Sequence, residues 1–177
     1  MDRELTAGGS GGLRESRLRA GYVRKEGRME YFAAGSVGRV FVLSLSQGDL
    51  LLESVRELIA RERMQSAAIV SGIGTLDRCT LHMVTTTGYP PVEHFETWSD
   101  TPLELASMSG YVASGEAHLH AVVADARGAQ GGHVEENCRV LYLAEIVVAE
   151  LLGPQLRRMP DTRGIRKLQE AHPTGVV

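Results

Sequence analysis

From Gly74 onward the sequence alternates apolar and polar residues almost without interruption, and this constrains the fold more than any other feature. Leu76 to Thr86, Val92 to Trp98, Leu103 to Val112, Ala117 to Ala124, Ala129 to Val134 and Arg139 to Ala149 each have the pattern of a strand. Gly110 interrupts one of them and marks an expected bulge. Upstream, Arg39 to Leu45 (RVFVLSL) is rich in strand formers, and SQGD follows as a turn whose Asp49 is placed to cap a helix. From Leu50 to Met64 the residues Leu51, Leu52, Val55, Leu58 and Ile59 fall on one helical face. Ala67 to Val70 then reads as a short buried strand ended by SGIG. This strand–helix–strand order predicts one right-handed crossover between parallel strands. The expectation is an α/β (α+β) domain: a mostly antiparallel twisted sheet of about seven strands with one main crossover helix.

The ends have a different composition. Residues 1–28 hold seven Lys and Arg against four Asp and Glu, and residues 153–177 hold five against two, whereas 29–152 hold seven against sixteen. The chain therefore divides into a flexible basic N-terminal arm (1–28, with a short helix expected over Leu13 to Arg19), a domain (29–152) and a basic C-terminal tail (153–177). In that tail Pro154 and Pro160 break structure. An acidic body repels nucleic acid at long range, so DNA contact is left to the tails, where Arg157, Arg158, Arg163, Arg166 and Lys167 cluster. No apolar run approaches a membrane span, and MDRELTAGGSGG has no apolar signal core. Cys79 and Cys138 read as reduced thiols of a cytoplasmic protein.

The chemistry concentrates in Glu116 to Val134, EAHLHAVVADARGAQGGHV. His118 and His120 are two apart, so on a strand they share a face. If Asp125 to Gly128 is a four-residue loop with Gly128 in its left-handed last position, Ala124 pairs with Ala129 and His120 pairs with His133. Three imidazoles then converge; a loop one residue shorter would turn His133 away. Neutral imidazoles suit zinc, and also iron, nickel or copper. Three protein ligands leave a position open for water or a small-molecule ligand. Glu116 shares the face as a candidate fourth ligand, ion-orienting carboxylate or general base. His82 and His94 sit in strand-like stretches and read as core or surface residues, His172 as a solvated tail residue, and Trp98 as a core or interface aromatic. Gly72 and Gly74 make a turn rather than a dinucleotide fingerprint, because no helix follows.

The segment PLELASMSGYVASGEAHLHAVVADARGAQGGHV resembles the central signature of the PPC (plants and prokaryotes conserved) domain family. In that signature a Pro-x-Glu-Leu-x-Ser-x-Ser-Gly run precedes Gly-x-x-His-x-His, a hairpin and Gly-Gly-His. GRVFVLSLSQGDLLLESVRELIARERMQSAAIVSGIGTL is similar to the family's opening strand, helix and Gly-x-Gly turn, and AEIVV to its closing strand; together they span about 29–152. The resemblance implies a homotrimer of α/β fold whose three histidines bind a metal, usually zinc. These are His118, His120 and His133 here. Glu104 and Glu145 match family positions as functional or structural buried acids. The family's DNA-binding label derives from plant members that carry AT-hooks and lack the histidines; this chain has no Arg-Gly-Arg-Pro core and keeps them. Two functions compete: a DNA-associated regulatory trimer, and a metal-dependent enzyme or small-molecule binder with Glu116 moving a proton.

Overall fold

The computed structural model describes residues 22–23 and 30–171, with Tyr22–Val23 placed by backbone alone. The helix expected over Leu13 to Arg19, most of the 1–28 arm and His172 lie outside the described residues. In chain order the elements are β1 (Tyr22–Val23), β2 (Tyr31–Phe32), β3 (Ser36–Ser46), α1 (Leu51–Glu62), β4 (Ser66–Val84) and β5 (Glu93–Ala113). They continue with β6 (Glu116–Asp125), β7 (Gly128–Val134), β8 (Arg139–Leu152), β9 (Leu156–Pro160) and β10 (Arg166–Glu170).

One antiparallel six-stranded sheet in the order β3-β8-β4-β5-β6-β7 carries the domain, with α1 against it. The fold class is the one the alternation predicts. β3 and β4 both run antiparallel to β8, so they are parallel to each other, as the strand–helix–strand order requires; β8 is inserted between them. Helix α1 starts at Leu50 as N-cap, not at Asp49. The Asp49 carboxylate instead accepts the Ser46 backbone N–H at 2.7 Å and closes the turn, while Leu51 N–H donates to the Cys138 carbonyl at 2.8 Å. Leu51, Leu52, Val55 and Ile59 are buried on one face of α1. They meet Leu45, Ile69, Leu76, Ile146 and Val148 from the sheet in a continuous core. Cys79 and Cys138 are free thiols inside it, with Sγ atoms 3.6 Å apart.

Segments that alternation suggests are separate strands turn out to be continuous. Ala67 to Val70 and Leu76 to Thr86 belong to the 19-residue β4, which crosses SGIG with register shifts on the β8 side rather than ending there. Val92 to Trp98 and Leu103 to Val112 likewise belong to the 21-residue β5. Its irregularities fall between Leu105 and Ser107 on the β6 side and between Ser99 and Leu103 on the β4 side, not at Gly110. Gly110 pairs regularly with Leu119, and a Cβ there would lie 2.3 Å from the His118 carbonyl oxygen, so a close strand approach is what requires glycine. The shifts matter to the site because they let β4 curl. Its first half pairs with β8 and its far end reaches β7 through Leu81–Val134 and His82–His133, closing β4, β5, β6 and β7 into a ring.

The segment after Gly153 also departs from the expectation of an unstructured tail. Pro160 ends β9 instead of preventing it, and β9 pairs with β10 around a turn in which Asp161 accepts the backbone N–H groups of Arg163 and Ile165.

Candidate metal centre

The β6–β7 connection sets the geometry. Asp125 pairs with Gly128, leaving Ala126 and Arg127 as the tip, and the Asp125 carboxylate accepts the N–H groups of Arg127 and Gly128. The register that follows is Ala124 with Ala129, Val122 with Gly131 and His120 with His133. Gly128 belongs to the strand and is not in the left-handed conformation expected of it. Leu119, Ala121, Val123 and Val134 point into the core, so His118, His120 and His133 point the other way, into an open cleft of about 480 Å³.

A row of side chains crosses four strands here: His82 on β4 opposite His133 on β7, His133 opposite His120 on β6, and His120 opposite Ser109 on β5. One nitrogen from each of His118, His120 and His133 lies within 4.8 Å of the other two, and the Nε2 atoms of His118 and His120 are 3.1 Å apart. An ion bonded tetrahedrally to nitrogens at roughly 2.0–2.1 Å separates neighbouring donors by about 3.3 Å, so this pair already has the spacing of two ligands on one ion. The donor set fits a divalent cation of intermediate softness.

Electrostatics keep the rings neutral. Burial, with the Arg158 charge second, lowers the pKa of His118; burial, then His82, lowers that of His120. For His133 burial and the neighbouring His118 bring it down to about 4. A neutral imidazole is the ligating form.

A second group overlaps the first. His82, His133 and Glu135 also place one donor atom each within 4.8 Å of one another, and the Glu135 carboxylate bonds His82 Nδ1. Reading the sequence alone treats His82 as a core or surface residue and does not reach Glu135. The signal for Glu135 was its place two residues after His133, on the same face; the signal for His82 required knowing that β4 bends onto β7.

The other sequence candidates go elsewhere. Glu116 belongs to neither histidine group; its carboxylate pairs with Arg166 Nη2 at 3.2 Å. His94 is exposed and bonds Glu96. Glu104 and Glu145 are both exposed rather than buried, and Glu104 lines a shallow groove with Ile73, Tyr142 and Leu143. Trp98 is half-buried against the core. In the basic cluster, Arg158 donates to the carbonyls of Tyr111 and Glu116, Arg166 meets Glu116, and Arg163 and Lys167 meet Asp161.

Comparison with known proteins agrees with this architecture. Residues 32–152 match the model of the Plants and Prokaryotes Conserved (PCC) domain. A bifunctional protein GlmU of Synechococcus sp. (strain JA-3-3Ab) is 30% identical over 154 residues, 83% of this chain but 24% of that protein. The chain thus spans about a quarter of that curated relative. A metal-containing protein from Archaeoglobus fulgidus superposes with a TM-score of 0.68 at 24% identity, over 80% of this chain and all of that one. A candidate DNA-binding protein from Ralstonia eutropha JMP134 does so with 0.62 at 23%, over 73% and 90%. At these identities the structural likenesses speak to the fold. Among the described residues no helix is long and apolar enough to cross a membrane.

Proposed function

The chain belongs to the Plants and Prokaryotes Conserved domain family, and from that premise we propose that it binds a divalent metal ion, zinc, through His118, His120 and His133. The observation that carries this reading is the convergence of three neutral imidazoles from two paired strands on one point at the floor of a cleft. The metal-containing relative from Archaeoglobus fulgidus is consistent with it. When bound, such an ion supplies a Lewis acid that polarises a carbonyl or lowers the pKa of water. The chain's own part is to hold the three nitrogens and shape the approach. Ser107 and Ser109 line one wall of the cleft and Met83, Val84 and Val122 form apolar surface, a surround suited to a small molecule with a polar end directed at the ion. A metal-dependent enzyme or small-molecule binder is thus the role the cleft favours.

The test is elemental analysis. His120→Ala protein should lose its metal, and full stoichiometry in that variant would remove the site. Wild-type affinity should fall as pH drops below the ordinary histidine range toward the lowered value of about 4 at His133, where protons compete for the nitrogens.

We also propose a homotrimer in the cytoplasm. Its support is the outer face of the β3–β8–β4 region, where Val40, Val42, Ile73, Tyr142 and Leu143 are exposed. Large apolar side chains exposed in such number on one part of a sheet suit coverage by another chain. The two buried free thiols suit a reducing compartment. A monomeric mass by light scattering would overturn the assembly.

A role as a DNA-associated regulator is the second reading, favoured by the basic ends and the Ralstonia relative. The engagement of Arg158, Arg163, Arg166 and Lys167 with partners inside the fold weighs against it. If DNA binds, deleting 1–28 and 153–177 should abolish a gel shift that salt weakens steeply. No shift by the full chain at low salt would end this reading.

A further inference from the structure

Resting on the three-histidine site just proposed, we infer that His82 is a fourth protein ligand of the same ion and that Glu135 is the carboxylate that holds it in ligating orientation.

The curl of β4 places His82. The strand's far end pairs with β7 through Leu81–Val134 and His82–His133, and those pairs carry His82 onto the face that holds the cluster. The His82 and His133 rings lie 4.6 Å apart between centroids, and His82 lines the same cleft as His118, His120 and His133. Phe95 packs at 5.2 Å from the His82 ring and restricts its rotation.

Glu135 gives the placement a chemical direction. Its carboxylate sits on His82 Nδ1. A carboxylate accepts, so Nδ1 carries the proton and donates, and the Nε2 lone pair is left for another partner. That is the usual arrangement of a metal-ligating histidine: one nitrogen faces the ion and the other donates to a carboxylate that fixes tautomer and ring orientation. His82 offers a donor atom within 4.8 Å of donors on His133 and Glu135, whereas His118 and His120 converge with His133 as a separate group, so joining the ion takes a small closure of His82 toward it.

The consequence concerns coordination number. With His82 included, the ion has four nitrogens and no vacant tetrahedral corner. A ligand entering along the Ser107–Ser109 wall then either raises coordination to five or displaces His82, the arm least tied to the β6–β7 hairpin.

The test uses cobalt(II) alone as probe on the full-length chain, because its visible absorption reports ligand number and type. Wild type should show an intense tetrahedral band. His82→Ala and the bulk-preserving His82→Gln should still take up cobalt on the three remaining histidines, with changed band shape and weaker affinity in competition with a chelator. Glu135→Gln should keep the band positions and bind about 10–100-fold more weakly, the usual cost of losing such an orienting partner. If both His82 variants match wild type in spectrum and affinity, the fourth ligand is overturned while the three-histidine site stands. If wild type takes up no cobalt, both fall together.

Discussion

A Cβ placed on Gly132 would lie 2.7 Å from the carbonyl oxygen of His82 and 3.1 Å from the Leu81 Cβ, so β7 approaches β4 this closely only because residue 132 has no side chain. This contact closes the four-stranded ring and brings His82 to His133. Gly132→Ala should push the two strands apart at the metal cleft. The neighbour is backbone and cannot rotate away, so the expected cost is that of overpacking, roughly 1–3 kcal/mol in urea unfolding. Metal affinity should fall with it. An unchanged unfolding midpoint would show that the strands separate freely and that the ring is not what positions His82.

The three lowered histidine pKa values make a signed prediction for the metal-free protein. The unfolded chain takes up protons near the ordinary histidine value of about 6.5, whereas folded His133 holds out to about 4, and His118 and His120 are lowered in the same sense. In the window between, the unfolded state binds more protons, so stability is highest above the unfolded pKa and falls as pH drops from about 6.5 toward 4. Denaturant midpoints of the apo protein measured across that range should decline. In His133→Gln protein the decline should be shallower, and an equal slope in both would remove His133 as its source.

How much of this was legible in the sequence follows from what each feature depends on. The His120–His133 pairing was readable because it is local: one hairpin, one loop count and the two-residue period determine it. The α1 face was readable for the same reason. The long-range features were not. Nothing local says that SGIG lets β4 run on rather than stop, or that its far end bends onto β7, and without that bend His82 neither enters the cleft nor meets Glu135. Glu116 is the complementary case. Periodicity put it on the histidine face, and a partner from the C-terminal hairpin, Arg166, engages its carboxylate. That hairpin itself was hidden because Pro160 reads as a breaker, yet a proline is tolerated as the last residue of a two-stranded edge.

The Glu116–Arg166 pair gives a prediction that separates face from function. Both side chains are about 60% exposed, so the ion pair contributes below about 1 kcal/mol. Glu116→Gln should leave metal content and affinity at wild-type values and shift stability little. A several-fold loss of metal affinity in this variant would return Glu116 to the site as a ligand or an orienting carboxylate.

The thiols offer a check on the core behind the site. Cys138 Sγ lies 3.2 Å from the Glu135 carbonyl and 3.6 Å from Cys79 Sγ, and both residues are almost wholly buried. The shared contact raises the Cys79 pKa and lowers that of Cys138, yet a lowered pKa confers reactivity only where a reagent can reach the sulfur. Neither thiol should therefore react with an aromatic disulfide reagent in the native protein, and modification should proceed no faster than unfolding exposes them. Leu81→Ala, which empties a fully buried position of the same core two residues from Cys79, should cost about 2–5 kcal/mol and accelerate modification of both cysteines together. Rapid labelling of Cys138 alone in the wild-type protein would mean that the turn after Glu135 opens independently of the core. Glu135 would then be too poorly held to orient His82.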